Sequence, residues 1–337
     1  MPDGPATPDT REEAAAKLPA LHVLMAMGWT YLGPAECLAR RGSDRSVLLE
    51  DVLRERLARH RFEWKGERRA LSPAGIDQVL RTISSPGLSA GLVPASQEVY
   101  RHLSFGITVT EFVEGQRHAV TVPLIDWKDV SANTFHVTEE FSVLRTDGTR
   151  RYRPDIVCLV NGIPLAVIEA KRPTGASRSE AMVQQGISQH LRNQLGDGIQ
   201  DLYVYAQLLL SISGSEARYG TTGTPKKFWS LWREEGIGAA EIQAIRSTPL
   251  SAPQKAALFA DRPRWALDRY EALHAGPVLA TEQDETLVGL LRPDRLLEFA
   301  RFFIFYDAKA GKMAARYQQA FGVKAMLARL AGRGLDG

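Results

Sequence analysis

"RPDIVCLVNGIPLAVIEAKRP", residues 153–173, is the stretch of this chain from which its fold can be argued. Two apolar segments flank Asn161-Gly162, a dipeptide typical of tight β-hairpin turns. Between the first and last arginine of the stretch, charge occurs only at Asp155, Glu169 and Lys171. Because ionised groups are costly to bury without partners, a hairpin built for a protein interior needs a reason to carry these three.

The relative orientation of the three charged side chains depends on the turn. Glu169 and Lys171 are two residues apart on one strand, so they point to the same face. If Asn161-Gly162 alone formed the loop, Asp155 would lie opposite Ile168 and point away from Glu169. An odd-length loop or a bulge would bring Asp155 onto their face. We therefore expect a loop that is not the simple two-residue turn, for example a three-residue turn with a bulged glycine.

Convergence of these groups would create a cation site. Two carboxylates close together repel, which raises a proton affinity or requires a cation, and hard oxygen ligands suit Mg²⁺, with Mn²⁺ as the alternative. A metal-bound water can attack a phosphodiester, while Lys171 orients the water or holds the phosphate. The simpler alternative is a salt bridge at the end of the sheet, in which Lys171 pairs with Glu169 or Asp155 without catalysis. Glu169 follows "LAVI" without polar alternation, which favours the cation site.

The remaining composition is that of an ordinary globular protein. Of 337 residues, 44% are apolar and 24% are charged, which allows two or three packed units. The 42 basic and 39 acidic residues give a net charge of +3, so any surface for nucleic acid must be local. Cys37 and Cys158 lie far apart, which argues against disulfides and a cysteine-based zinc site. No signal peptide or membrane span is evident, and we expect a cytoplasmic protein without membrane contact.

The hydrophobic pattern changes along the chain. Helical spacing dominates the first hundred residues, and alternation around the Glu114-Gly115-Gln116 turn then predicts a hairpin. A further strand is predicted at 133–144, a helix at 177–195 and a buried strand at 202–213. The predicted buried stripe of that helix consists of Val183, Ile187, Leu191 and Leu195. After residue 235 the pattern is helical again, ending in a short strand, a turn and a long helix. This order indicates an α/β fold with a mixed sheet and helices on its faces.

The arrangement Pro154-Asp155, a spacer, then Glu169-Ala170-Lys171 resembles the PD-(D/E)xK nuclease superfamily. A longer series of segments is similar to the N-terminal nuclease domain of the R subunit of type I restriction-modification enzymes. The segments are "VPLIDWKDVSANTFHVTEEFSV", the quoted stretch, "QGISQHLRN", "LYVYAQLLLSI", "YGTTGTPKKFWSLWRE" and "LLRPDRLLEFARFFIFYDAKAGKMAARYQQAFGVKAM". The resemblance implies a restriction-endonuclease-like core with helical N- and C-terminal parts.

On this resemblance we divide the chain into five regions. They are a disordered tail (1–10), a helical N-terminal region (11–98), the PD-(D/E)xK nuclease core (99–235), a helical region (236–330) and a linker stub (331–337). In the family a motor domain follows this region and translocates DNA with ATP. "DAKAGKM" lacks the first glycine and the final Ser or Thr of a P-loop, so we expect no ATP site in this chain. We interpret the chain as a truncated subunit or an isolated domain.

The resemblance also implies roles for individual residues. Asp155, Glu169 and Lys171 would be catalytic, with the Ala170 carbonyl as a third metal ligand beside the two carboxylates. A Gln-x-x-x-Tyr motif on the following helix matches at Gln189, whereas Asn193 stands at the tyrosine position. Gln189 would contact the metal-site water or the DNA backbone. The alternative is that Gln189 is simply solvated on the outer face of its helix.

Double-stranded DNA is the expected substrate, together with methyltransferase and specificity subunits as protein partners. Basic residues cluster around the quoted stretch, and phosphate contacts from them would give sequence-independent binding. The predicted DNA-binding residues are Arg153, Arg172, Arg178, Lys226 and Lys227; for Arg150 and Arg151, a solvated charge run is the alternative. The leading hypothesis is a Mg²⁺-dependent endonuclease domain of a type I restriction enzyme. The alternatives are a non-catalytic docking module of such a complex and a stand-alone nuclease of a defence system.

Overall fold

A computed structural model of the chain describes residues 13–172, 179–276 and 278–333. Its centre is a six-stranded mixed sheet with helices packed around it, so the chain has an α/β fold. The strands are β1 Thr30–Leu32, β2 Arg61–Trp64, β3 Glu67–Ala70, β4 Ile107–Val113, β5 Gln116–Val122, β6 Phe135–Glu139, β7 Val143–Leu144, β8 Arg151–Tyr152, β9 Ile156–Val160, β10 Ile163–Ala170, β11 Leu208–Ile212, β12 Ala217–Gly220, β13 Ile304–Asp307 and β14 Gly311–Ala314. The central sheet has the order β1-β6-β9-β10-β11-β12.

The central pair of this sheet, β9 and β10, is almost entirely apolar and buried. It is antiparallel, and β10 pairs with β11 in parallel. The crossover from β10 to β11 carries a long helix, as a parallel connection requires. Strands buried on both faces read as continuous hydrophobic runs, which explains the composition of the quoted stretch.

The turn between β9 and β10 contains two residues, Asn161 and Gly162, with φ of 50° and 82°. Val160 and Ile163 pair directly across it, so our expectation of a longer loop is wrong. The register shifts instead within β10, between Pro164 and Ala166. Of the two predicted ways to bring Asp155 onto the face of Glu169, an odd-length loop or a bulge, the structure has the bulge. The extra residue, at position 165, is in the strand rather than in the turn.

The other strands form small antiparallel hairpins, β2–β3, β4–β5, β7–β8 and β13–β14. The β4–β5 hairpin is the one predicted from alternation, and its loop is Glu114-Gly115. The predicted strand, turn and long helix near the C-terminus correspond to β13, β14 and the last helix.

Thirteen α-helices lie within the described ranges. They are α1 Leu18–Ala26, α2 Pro34–Arg41, α3 Glu50–Arg59, α4 Pro73–Ser84, α5 Leu92–Phe105, α6 Ser179–Asn193, α7 Gln200–Tyr203, α8 Ala239–Ser247, α9 Ala252–Phe259, α10 Arg264–His274, α11 Glu282–Leu291, α12 Pro293–Phe302 and α13 Tyr317–Arg333. Local sequence explains several boundaries: Ser72 caps α4 through the Gly75 amide, and Thr281 and Asp284 form a capping box on α11. None of the described helices is long and apolar enough to cross a bilayer.

Two sequence predictions fail in this part of the chain. Residues 202–205, predicted as the start of a buried strand, belong to α7 and the turn after it, and the strand begins at Leu208. In α6, Val183 and Ile187 are buried as expected, but Leu195 lies beyond the helix and is exposed.

The five-region division stays a prediction, because the chain contributes to the sheet from more than one region. β1 belongs to the region predicted as helical, yet it pairs in parallel with β6 in the central sheet. The predicted tail (1–10) and most of the predicted linker stub lie outside the described residues, and α13 continues to Arg333.

Candidate active site

Three oxygen atoms and one ammonium group meet at the C-terminal end of β10. The Lys171 Nζ atom lies 2.8 Å from the Ala170 carbonyl oxygen, 3.2 Å from Asp155 Oδ2 and 3.6 Å from Glu169 Oε2. These are the oxygens of the three residues predicted as metal ligands. A positive charge thus already lies among them, and the bulge in β10 is what brings Asp155 to the face of Glu169 and Lys171.

Asp155 is fixed in place by the backbone around it. Its Oδ2 atom accepts a hydrogen bond of 2.8 Å from the Ala170 amide, in addition to the contact with Lys171. Its carbonyl accepts a bond from the Glu140 amide, so the residue is held between the end of β6 and the end of β10. The carboxylate is therefore oriented by the fold before any ligand arrives.

Glu169 is completely buried, and α6 covers it. The helix approaches the sheet closely at Gly186, where an added Cβ would lie 2.1 Å from Ser211 Oγ and 3.4 Å from Glu169 Cβ. Among the described residues, neither carboxylate oxygen of Glu169 has a hydrogen-bond partner. Burial, reinforced by the nearby Asp155 charge, raises the pKa of the Glu169 carboxyl well above its usual range. A cation would compensate both effects.

The donor set fits a hard divalent ion such as Mg²⁺. It offers two carboxylates, of which one is orphaned and buried, and one backbone carbonyl, and water would complete the coordination. Within the described ranges, no three or more His, Cys, Asp or Glu side chains converge as a metal-binding group, so side-chain ligands would number two. The salt-bridge alternative describes the contacts of Lys171, but it leaves both Glu169 oxygens without hydrogen bonds.

The helix α6 places the two motif positions differently. Gln189 is half-buried, three residues after Gly186, and no side-chain hydrogen bond is found for it within the described part of the chain. Asn193 is buried and donates to the Tyr203 hydroxyl at 3.4 Å, so it is a core residue rather than a contact for DNA.

A buried histidine supports the same helix. His190 Nε2 lies 2.9 Å from the Leu210 carbonyl, which can only accept, so Nε2 carries the proton and Nδ1 accepts from the Tyr203 hydroxyl at 2.9 Å. Burial lowers the pKa of His190 to about 4, in keeping with a neutral ring. No motif in the sequence pointed to this link between α6, α7 and β11.

The predicted DNA-binding residues are spread over two sides of the site. Arg153 and Arg172 are exposed at its rim, next to the catalytic candidates in sequence. Lys226 and Lys227 are also exposed, and Lys226 Nζ lies 3.0 Å from Ser188 Oγ on α6. Arg178 lies outside the described residues.

Some of the surrounding basic residues already have acidic partners. Arg145 pairs with Asp197 at 2.5 Å, and Arg151 pairs with Asp44. Their charge is thus partly compensated within the chain, and the basic field around the site is weaker than the sequence count suggests.

A buried ionic cluster beside Asp155 was not foreseen. Glu139, at the end of β6, accepts a hydrogen bond from Tyr31 and pairs with Arg262 and, at 3.4 Å, with Lys17. Lys17 also donates to Glu140 at 2.7 Å. The two consecutive glutamates in "HVTEEF" are the feature of the sequence that could have indicated this cluster. Their partners lie more than a hundred residues away and could not be identified from local sequence.

The family model described as "Type I restriction enzyme R protein N terminus" matches residues 9–228. The chain is 26% identical over 328 residues to the putative type I restriction enzyme MjaIXP endonuclease subunit of Methanocaldococcus jannaschii, covering 94% of this chain and 28% of that protein. It is 26% identical over 312 residues to the type I restriction enzyme HindI endonuclease subunit of Haemophilus influenzae, covering 90% of this chain and 25% of that protein. The chain thus spans about a quarter of the length of these curated relatives.

Proposed function

This chain belongs to the family of type I restriction enzyme R protein N-terminal regions, and from that premise we propose that it is a Mg²⁺-dependent endonuclease domain that hydrolyses DNA phosphodiester bonds. The observation that carries the proposal is the convergence of Asp155, Glu169 and the Ala170 carbonyl on one cationic group, with Glu169 buried and without a hydrogen-bond partner among the described residues. Its fold would be the PD-(D/E)xK core. Its reaction class would be that of a type I site-specific deoxyribonuclease.

Each residue of the site would have a distinct task. Asp155 and Glu169, with the Ala170 carbonyl, would hold the Mg²⁺ ion, or Mn²⁺ in its place. The bound ion would supply Lewis-acid chemistry, lowering the pKa of a coordinated water and neutralising charge on the phosphate. Lys171 would leave its present contact with Ala170 and hold the scissile phosphate or orient the attacking water. Gln189, on the covering helix, would contact the same water or the DNA backbone.

Proposed partners follow from the family. Double-stranded DNA would be the substrate, contacted by Arg153, Arg172, Arg178, Lys226 and Lys227 at its phosphates. Methyltransferase and specificity subunits would be the protein partners, and a cytoplasmic location stays a prediction from the sequence. A second candidate function, a non-catalytic docking module, is favoured by one observation: Lys171 already forms an ion pair with Asp155 at 3.2 Å.

The nuclease proposal is tested by nicking of supercoiled plasmid in Mg²⁺. The wild-type chain should nick, whereas Asp155→Ala and Lys171→Ala should lose at least about 10²-fold in rate. Asp147→Ala, which removes an exposed carboxylate outside the site, is the matched control and should nick like wild type. Equal nicking by all four proteins would refute the assignment.

Cation binding is measured separately from cleavage. Mg²⁺ should raise the melting temperature of wild type and of Lys171→Met, since both keep the ligand oxygens, but not that of Asp155→Asn. A thermal shift without nicking would favour the docking module with a retained cation site. No shift in any variant would contradict the metal assignment.

A further inference from the structure

A cavity of about 340 Å³ lies beside the candidate active site, between α2 and the segments that precede β9. The start of α2 forms its apolar wall, and Ser142 also lines it. Three guanidinium side chains line it, those of Arg41, Arg151 and Arg153, against one carboxylate, that of Glu140. The cavity is separate from the metal-ligand oxygens but adjoins them, because Arg153 is two residues before Asp155.

Arg41 is an unusual cation for a protein interior. Its side chain is 93% buried, and it donates to the carbonyls of Ser46 at 2.9 Å and Ser142 at 2.8 Å, with its guanidinium 3.8 Å from the centre of the Phe141 ring. Its Nε atom is buried without a hydrogen-bond partner among the described residues, and no ion pair joins its guanidinium to a described carboxylate, although the Asp44 charge acts on it from farther away. Since a buried charge without a counter-charge is costly, this wall of the cavity is arranged for an anion.

The other charged residues of the wall differ in how far they are compensated. Arg151 pairs with Asp44, and Glu140 is paired with Lys17. Arg153 is exposed, and no ion pair joins it to any residue in the described ranges. The positive charge that remains therefore comes from Arg41 at the base and Arg153 at the mouth.

We infer that this cavity binds a backbone phosphate of the DNA strand, next to the phosphate at the candidate active site. Guanidinium groups match the geometry of phosphate oxygens and bind them with charge-assisted hydrogen bonds. Two residues of extended chain separate Arg153 from Asp155, about 7 Å, so the two sites lie within reach of neighbouring nucleotides of one strand. The inference rests on the proposed nuclease function, and it adds a positioning site for the substrate that includes α2, a helix outside the predicted nuclease core.

The test is DNA binding in EDTA, so that cleavage plays no part in it. A fluorescent duplex is titrated with wild type, Arg153→Gln and Arg150→Gln. Arg150 is the matched control: it is exposed, lies in the same segment and does not line the cavity. Arg153→Gln should weaken binding about tenfold and reduce the slope of log Kd against log salt by about 1, whereas Arg150→Gln should change Kd less than about twofold.

Equal effects of the two substitutions would overturn the inference. Arg41→Lys keeps the positive charge but not the planar guanidinium group, and it should also weaken DNA binding. A melting temperature like that of wild type would show that this variant is folded. Inorganic phosphate at constant ionic strength should compete with the duplex for wild type but not for Arg153→Gln; phosphate binding that leaves DNA binding unchanged would refute the assignment to DNA. If Arg153→Gln selectively weakens DNA binding but the wild-type chain does not nick plasmid, the nuclease proposal fails and the phosphate site stands.

Discussion

Two buried glutamates of this chain should respond with opposite signs to the same substitution. Glu169 lies at the candidate active site without a hydrogen-bond partner among the described residues. Glu139, about as deeply buried, is bound by Tyr31, Lys17 and Arg262. Replacing either residue by Gln keeps the shape of the side chain and removes its charge. In the absence of divalent cations, we expect Glu169→Gln to stabilise the protein and Glu139→Gln to destabilise it.

The magnitudes follow from the contacts. Burial raises the pKa of Glu169, so the ionised carboxylate destabilises the folded state at pH 7.5, and the neutral Gln should raise the free energy of unfolding by about 1–3 kcal/mol. Removing one partner from a buried ion pair costs about 3–5 kcal/mol, because the buried Arg262 guanidinium would lose the Glu139 counter-charge, whereas Lys17 would keep Glu140. With an unfolding entropy of about 0.7 kcal/mol/K for a chain of this size, the melting temperature should rise by about 1.5–4 °C for Glu169→Gln and fall by about 4–7 °C for Glu139→Gln.

The assay is thermal unfolding at pH 7.5 in EDTA and again in Mg²⁺. Mg²⁺ should narrow the gap between wild type and Glu169→Gln, since ligand binding stabilises only the protein that retains the site, by about 2.7 kcal/mol at a hundredfold excess over Kd. A lower melting temperature for Glu169→Gln than for wild type in EDTA would refute the reasoning. So would shifts of the same sign for both glutamates.

Three further outcomes are expected. Gly162→Ala should lower the free energy of unfolding measured in urea by at least about 2 kcal/mol, because the φ of this residue is 82° and the new Cβ would lie 2.3 Å from a backbone carbonyl oxygen. Gly115→Ala, at a φ of 77° with no atom near the new Cβ, should lower it by about half as much. Burial lowers the pKa values of His22 and His190 to about 3 and about 4, so between these values and pH 6.5 each histidine is protonated in the unfolded chain but neutral in the folded one. The free energy of unfolding should therefore fall as the pH drops below 6.5, by up to about 1.4 kcal/mol per pH unit for each histidine. In His22→Gln this dependence on pH should be weaker. Gln189→Ala should slow plasmid nicking about tenfold with an unchanged melting temperature, and an unchanged rate would remove Gln189 from the mechanism.

The convergence of Asp155, Glu169 and Lys171 could be predicted from the sequence, but the position of the bulge that produces it could not. A longer turn and a bulge change the face of Asp155 in the same way, so the alternation of side chains does not distinguish them. The bulged residue also has a partner outside the hairpin, which local sequence does not report: the Leu165 carbonyl accepts a hydrogen bond of 2.7 Å from the Gln207 amide, just before β11.

Other differences have similar causes. An apolar run carries no periodicity, so residues 202–205 could not be distinguished from the start of a strand, although they form the end of α7 and the turn after it. The partners of Glu139 come from the N-terminal segment and from the loop after α9, and local pattern does not report contacts at such separations. The short strand β1 was missed because it is only three residues long and lies between two helices.

Because of the bulge in β10, Asp155 and Glu169 lie on the same face only if the number of residues between them is odd. Thirteen residues separate Asp155 from Glu169. Across a two-residue turn, a regular ladder places two residues opposite each other only when an even number lies between them, and one bulge makes that number odd. A single insertion or deletion in residues 156–168 would therefore disable the site unless a bulge were lost or gained with it. Homologous chains with an even spacer and the same turn should lack the bulge, which gives sequence comparison a way to detect a backbone irregularity that no residue type marks.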